Sequence, residues 1–447
     1  MTRIDEVRTW LRENLPALAE KHGVPGAQAA VLVDGEVADA AAGLLSTRTG
    51  VEATTDALFQ VGSVTKLWTA TLVLQLVDEG LLDLDAPVRA HVPDAPDVTT
   101  RQLLNHTGGF EGDLFFDTGR GEDAIAKLVA RLGEARPLFP AGERFSYNNA
   151  GYVVLGRLVE VLRDKPFAQV LRERLITPLG LAHTASGAEE AILFRAAVGH
   201  LPGPGGPVAA PVWSIAASNA PAGSQLAMRA ADLLEFARLY LDGGREGVLS
   251  AEAVAALHAA EVELPYLARM PTHYGLGWGR WELGEHVVVG HDGGTIGQSA
   301  FLRLVPAAGV AVALLTNGGA TAALYQDVVV HLVRELTGVE LPAAPELPEA
   351  PVRIDPARVV GRYDTVMARF EVTVDEQDRL WLRTTPLTEE ARQLMPADAP
   401  PVELVALRED VLLTRERTAG THMAYAVIGE PGQPARFLHN SRALPRS

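Results

Sequence analysis

The chain has 447 residues, enough for two or three units with full cores; 47% are apolar and 21% charged, the profile of an ordinary soluble globular protein. A net charge of −17 with no basic cluster argues against nucleic-acid binding, which needs a cationic surface. The absence of cysteine excludes structural disulfides, thiolate catalysis and cysteine-ligated zinc.

Residues 4–22 carry an amphipathic helical pattern closed by Gly23-Val24-Pro25-Gly26. This opening lacks the continuous apolar core of a secretory signal, and no later run is long and apolar enough for a bilayer. The expectation is a cytoplasmic protein without a membrane partner. Ala27 to Val33 and Glu36 to Ala42 are short apolar runs about Asp34-Gly35, a two-residue hairpin signal.

Gly62-Ser63-Val64-Thr65-Lys66-Leu67-Trp68 then opens an apolar-periodic helix that runs through Leu72, Leu74 and Leu76 to a stop at Gly80. Lysine is scarce here, with four against thirty-five arginines, and this one falls three places after a serine. Residues so spaced share a helix face, so the amine can reach the hydroxyl. A serine hydroxyl is a weak nucleophile until a base takes its proton, and a desolvated lysine can be that base. The plainer use of such a serine is to cap its helix.

The middle, roughly 70–200, reads as helix-rich. Its acidic loop from Glu111-Gly112-Asp113 to Asp117-Thr118-Gly119-Arg120 is expected to order itself through Asp–Arg pairs, the alternative being to meet an amine acceptor. Ser146-Tyr147-Asn148-Asn149-Ala150-Gly151-Tyr152 is a polar cluster on a loop just before the apolar helical run Val153 to Leu162. Strand-like runs return at His286 to Val289, Ser299 to Val305 and Val310 to Thr316, followed by a closing helix over 322–337. Among them His291-Asp292-Gly293-Gly294 places paired glycines where a ligand needs close approach to backbone. His286 and His291 have no third ligand in sight, so neither a metal nor a cofactor is expected. His106 reads as satisfying backbone groups at a helix end, and Trp213 and Trp278 as pocket walls or core.

Strands at both ends with helices between give an α+β class: an antiparallel sheet flanked by helices, with an inserted all-helical subdomain. This unit is expected to span 1–340. Pro342, Pro345, Pro348 and Pro351 mark a semi-rigid linker, placed at 341–355. From 356 to 447, short runs such as Phe370 to Val374, Leu380 to Arg383, Val402 to Leu407, Val411 to Arg415 and Met423 to Ile428 imply a small antiparallel β-barrel.

The order Ser63-x-x-Lys66, Tyr147-x-Asn149, His291-x-Gly293 resembles the serine β-lactamase and penicillin-binding-protein-like superfamily, in its class C β-lactamase, esterase and D-aminopeptidase branch. Leu103-Leu104-Asn105-His106-Thr107-Gly108-Gly109, Tyr274-Gly275-Leu276-Gly277-Trp278 and Thr316-Asn317-Gly318 are similar to lesser marks of that branch. The resemblance covers about 5–340 and implies a β-lactamase/transpeptidase-like fold; the C-terminal part looks like an appended lipocalin-like barrel. It further implies Ser63 as nucleophile, Lys66 as general base and Tyr147 as proton shuttle to the leaving group. Asn149 would hold a substrate amide, and His291 would hydrogen-bond the tyrosine. The oxyanion donors would be the N–H groups of Ser63 and Gly294, with Gly293 beside them. Asp292 reads as structural. Arg442, on the last strand-like stretch, would reach a substrate carboxylate if the barrel covers the cleft, and is otherwise a solvated arginine.

Members that hydrolyse β-lactams efficiently usually carry lysine where His291 stands, so the histidine points toward esterases, D-peptidases and acyl-transferring members. The layout is closest to stand-alone penicillin-binding-protein-type thioesterases, which close peptidyl chains into rings, and to amide-forming transacylases. The expected substrate is a peptidyl or small (thio)ester or amide, with the donor delivered free or on a carrier protein. Alternatives are an esterase, D-aminopeptidase or weak β-lactamase, and a non-catalytic penicillin-binding-like sensor.

Overall fold

Two neighbouring strands, Gly26–Val33 and Val310–Thr316, lie buried along their whole length at the middle of a nine-stranded sheet. Their side chains divide by the two-residue period of a strand. Ala29, Val31, Val312 and Leu314 face one apolar cluster, while Ala30, Leu32, Ala311 and Ala313 face another. A sheet with apolar residues on both faces must be covered on both, and it is. The amphipathic helix Arg3–Lys21 and the C-terminal helical segment from Thr321 to Thr337 pack on the first face. The second face meets the buried helices Thr65–Asp78 and Ala230–Leu241.

This computed structural model describes residues 2–133, 135–350, 352–394 and 399–447. The sheet runs, edge to edge, Val51–Glu52, Glu36–Ser46, Gly26–Val33, Val310–Thr316, Ser299–Val305, His286–Gly294, Gly279–Leu283, His273–Tyr274 and Val262–Glu263. Neighbouring strands are antiparallel throughout. Asp34 and Gly35 close the first hairpin with φ of 52° and 79°, the paired positive angles that a two-residue turn requires. The strand expected to end at Val289 continues to Gly294, so the glycine pair lies inside the sheet. The closing helix contains a π turn at Gln326–Val330, which apolar periodicity does not announce.

Between the sheet's two halves lies the helical region. Its long helix Asn149–Arg163 packs across Thr65–Asp78, and twelve residues of the latter are buried. A helix buried on nearly every side belongs in the protein interior, and of its buried polar side chains Lys66, Thr69, Thr71 and Gln75 are hydrogen-bonded there. Residues 338–350 form neither helix nor strand. Eight antiparallel strands then follow as a meander from Gly361–Asp364 to Ala443–Pro445. A bridge between Tyr363 and Arg446 joins the first strand to the region of the last, so the barrel is nearly closed. Among the described residues no helix is long and apolar enough to cross a membrane.

Candidate active site

Ser63 sits in a tight turn, Gly62–Val64, that leads directly into the helix Thr65–Asp78. Its own N–H therefore lies at the positive end of that helix. Gly62 has φ of +52°, and a Cβ there would come 2.6 Å from the Gly294 nitrogen. A Cβ on Gly293 would come 1.9 Å from the Val61 carbonyl oxygen. Only glycine allows the strand end and the serine turn to approach so closely. The Ser63 and Gly294 amides are thereby brought to one place.

Lys66 has no solvent exposure, and its amine is ringed by oxygen. Nζ donates to Asn149 Oδ1 at 2.7 Å, to the Ala222 carbonyl at 2.6 Å and to Ser63 Oγ at 3.2 Å. The rings of Tyr147 and Tyr152 lie 4.9 and 5.4 Å away. Burial holds the amine well below the ordinary lysine range; the Arg442 guanidinium pushes the same way, and Asp113 opposes it. An ammonium has three hydrogens for these three oxygens. A neutral amine has two hydrogens and a lone pair, whereas two of its partners are carbonyls that can only accept. The lone pair is then directed at the one partner able to donate, the Ser63 hydroxyl.

Asn148 caps the helix Asn149–Arg163 by accepting from the Gly151 amide at 2.7 Å, which places Asn149 in the first turn and Tyr147 just outside it. Asn149 was expected to hold a substrate amide, but both ends of its own amide have protein partners. Its oxygen faces Lys66 and its nitrogen donates to Asp113 Oδ1 at 2.7 Å. One N–H hydrogen remains for a ligand. The Tyr147 ring stacks obliquely on His106, with centroids 4.3 Å apart. Among the described residues its buried hydroxyl has no hydrogen bond of acceptable geometry, and burial raises its proton affinity, with Ser63 and Arg442 partly offsetting this.

The expected bond between His291 and Tyr147 is not made. His291 Nδ1 meets the Asp292 carbonyl at 2.5 Å, and Nε2 is 2.9 Å from the Tyr274 hydroxyl. A carbonyl only accepts, so Nδ1 carries the hydrogen and Nε2 accepts from Tyr274. Burial and the neighbouring Lys66 push His291 down to about 4, so the ring is neutral at pH 7. Asp292 turns to the opposite face of the strand, as the two-residue period requires. There it pairs with the buried Arg303 at 2.7 Å and with Arg269 at 3.6 Å, outside the cluster around Ser63. Arg303 in turn lies over the rings of Trp281 and Tyr325.

Arg442 reaches this site from the barrel. Its guanidinium lies 4.8 Å from the Tyr147 ring and donates to Asp113 through Nε at 2.9 Å. The segment carrying it runs beside the tyrosine loop. Tyr147 N donates to the Ser441 carbonyl at 2.8 Å, Ala443 N to Ser146 Oγ at 3.1 Å, and His439 bonds the Phe145 carbonyl. The barrel thus borders the cleft at the phenol.

Other expectations sort themselves. The acidic loop is not ordered by its own Asp–Arg pairs: Asp113 pairs with Arg442, and Arg120 faces Glu189 at 4.0 Å. His106 accepts from the Asn148 amide at 3.0 Å, a backbone role. Trp278 is fully buried in the core, and Trp213 donates to the Ala197 carbonyl. Tyr274 and the Ala222 carbonyl also belong to the site, through His291 and Lys66. Tyr274 lies in the quoted Tyr-Gly-Leu-Gly-Trp run, while a backbone carbonyl leaves no mark in sequence.

The sheet with its helical insertion, and a serine bonded to a buried lysine, define a serine acyl-enzyme class. The family model described as Beta-lactamase matches residues 11–333, and the chain belongs to that family. It is 42% identical over 368 residues to Penicillin-binding protein 4 of Amycolatopsis lactamdurans, across 79% of this chain and 96% of that one. The crystal structure of SurE, 30% identical, matches 99% of both chains with a TM-score of 0.77, and that of SurE with D-Leu, 29% identical, matches them with 0.76. D-amino acid amidase from Ochrobactrum anthropi SV3, in complex with L-phenylalanine amide, is 25% identical. It matches 69% of this chain and 91% of its own with a TM-score of 0.60.

Proposed function

We propose that this protein is a serine hydrolase that takes the acyl group of a D-configured amino-acid or peptide ester or amide onto Ser63. The arrangement of Lys66 carries the reading: in its neutral form the only direction open to its lone pair is the Ser63 hydroxyl. Oγ attacks the carbonyl carbon as its proton passes to Nζ. The oxyanion is met by the Ser63 and Gly294 amides, with Gly293 allowing the approach. The proton then travels through Tyr147 to the leaving oxygen or nitrogen as its bond to carbon breaks. Water, deprotonated along the same path, releases the acid. His291, fixed by Tyr274, supports the phenol's surroundings by packing. Likeness to SurE, solved with D-Leu, and to a D-amino acid amidase supports the D-configuration.

One observation favours a second reading, transfer to an amine. Arg442 places a cation from the barrel beside Tyr147, where the carboxylate of an amino-acid acceptor or substrate would be met. A barrel at the cleft mouth also limits water, the condition under which a penicillin-binding-protein-type thioesterase or macrocyclase, with its lipocalin-like domain, would favour aminolysis. Turnover of the p-nitrophenyl esters of N-acetyl-D-leucine and N-acetyl-L-leucine tests the first reading, with D-phenylalanine added as acceptor for the second. Expected are faster use of the D ester and acid as main product. Equal use of both esters removes the stereochemical claim, amide as main product moves the protein to the second reading, and no turnover defeats both.

A further inference from the structure

Asp113 has no role in the reaction just described, yet among the described residues its carboxylate bridges Asn149, a partner of Lys66, and Arg442 of the barrel. It accepts from Asn149 Nδ2 at 2.7 Å and from Arg442 Nε at 2.9 Å. We propose that Asp113 is a positioning residue that locks the Asn149 amide with its oxygen toward Lys66 and anchors Arg442, so that barrel and lysine are coupled through a single side chain. The inference rests on Lys66 being the base.

What each group can donate fixes how the Asn149 amide must lie. A side-chain amide is nearly symmetric in shape, so its orientation is set by its partners. Flipped, Asn149 would turn its oxygen to an acceptor-only carboxylate and its N–H₂ to the lysine amine. Two bonds of 2.7 Å would be lost, one of them to a charged acceptor. The flip would also give the lysine lone pair a second donor, Asn149 Nδ2, in competition with Ser63. Asp113 prevents this, and so keeps the lone pair on the nucleophile.

Asp113 also carries charge. Lys66 faces the neutral groups Ser63, Asn149, Ala222, Tyr147, Tyr152, His106 and His291, and is influenced by two charges, Arg442 and Asp113. Asp113 itself is neighboured by Arg442, Glu111 and Tyr147. Removing the carboxylate favours the neutral amine; removing the guanidinium favours the ammonium. The two substitutions must therefore shift the lysine in opposite directions.

The test is the rate of labelling of the full chain by a fluorophosphonate as a function of pH. Wild type should show an acid limb, where Lys66 loses its proton. Asp113→Asn keeps the shape and should move that limb to lower pH; Arg442→Gln should move it higher; the double variant should fall between. Asp113→Ala, which frees the amide to flip, should also lower the plateau by about tenfold, the worth of a charge-assisted hydrogen bond. A wild-type limb that stays put in both single variants overturns the inference, and Arg442→Gln alone decides it should the Asp113 variants fail to fold. Absence of any limb in wild type, or undiminished labelling of Lys66→Ala, defeats instead the assignment of Lys66 as base.

Discussion

At one end of the cleft Lys66 has an oxygen of the protein for each of its ammonium hydrogens. At the other, with its ring 4.9 Å from that nitrogen, Tyr147 is held by stacking, and among the described residues its hydroxyl has no well-formed hydrogen bond, only the proximity of Ser63. Both groups are driven by burial toward their uncharged forms, the amine down and the phenol up. The difference teaches where the protein supplies preorganisation and where it leaves a place. Acylation is prepared by the fold itself, because every partner that steers the lysine is already in position. The phenol, beside Ser63, keeps its hydrogen-bonding capacity free for a ligand. In the proposed reaction, acylation then depends chiefly on fixed geometry, and the later proton relay on how the substrate sits.

The largest effect should come from breaking the saturated end. Lys66→Ala is expected to slow formation of the acyl-enzyme by about 10² to 10⁴-fold, the usual worth of a positioned base, as read by rapid-quench mass spectrometry. Tyr147→Phe, at the open end, should lengthen the life of the acyl-enzyme more than it slows its formation. A second contrast concerns the support beneath the histidine strand. Arg303 is 1% exposed and pairs with Asp292 at 2.7 Å, so Arg303→Met leaves a partly buried carboxylate with the more distant Arg269, at 3.6 Å, as its remaining ion-pair partner. That should cost about 3 kcal/mol in thermal unfolding, at the low end for breaking a buried pair because Asp292 keeps some solvent contact.

Glu111 offers a sharper comparison, since it is a buried acid beside Asp113. Among the described residues its Oε2 has no hydrogen-bond partner, and burial raises its carboxyl from 4.5 to about 7, with Asp113 adding to the rise and Arg136 and the Val366 backbone opposing it. A carboxyl raised in the folded state contributes stability that is complete below pH 4.5 and lost as pH climbs through 7. Glu111→Gln should therefore be more stable than wild type above pH 7, by at most about 3 kcal/mol at about 1.4 kcal/mol per pH unit, with the gap closing as pH falls toward 4.5. Thermal midpoints measured across that window check the sign. The smallest effect is reserved for Tyr274→Phe, which frees His291 Nε2. A change of about tenfold or less in turnover is expected, the worth of one neutral hydrogen bond.

What could be read in advance followed locality. The Asp34-Gly35 hairpin and the shared face of Ser63 and Lys66 depend on residues a few positions apart, whereas the helix expected from Val153 begins at Asn149, so Asn149 to Tyr152 lie in its first turn and not on the loop. The α+β sheet and the barrel were legible because strand runs and turn residues alternate along the chain. Partnerships made by the fold were not. Tyr274 reaches His291 only because their strands flank Gly279–Leu283 in the sheet. Asn149, expected to hold a substrate amide, also bonds Lys66 and Asp113, and the second of these contacts depends on a loop thirty-six residues away. Arg442 reads from sequence more readily as a solvated surface arginine than as a cleft residue, because nothing local to 440–442 reveals that Ser441 pairs with the Tyr147 amide.

The most direct measurement follows the first covalent step. N-acetyl-D-leucine p-nitrophenyl ester is mixed with the protein, quenched in acid within milliseconds, and the acylated peptide is located by mass. The account predicts one acyl group, on Ser63, forming at a rate that rises with pH through a single ionisation below the ordinary lysine range. An acyl group on any other residue, or a rate indifferent to the loss of the Lys66 amine, would contradict it.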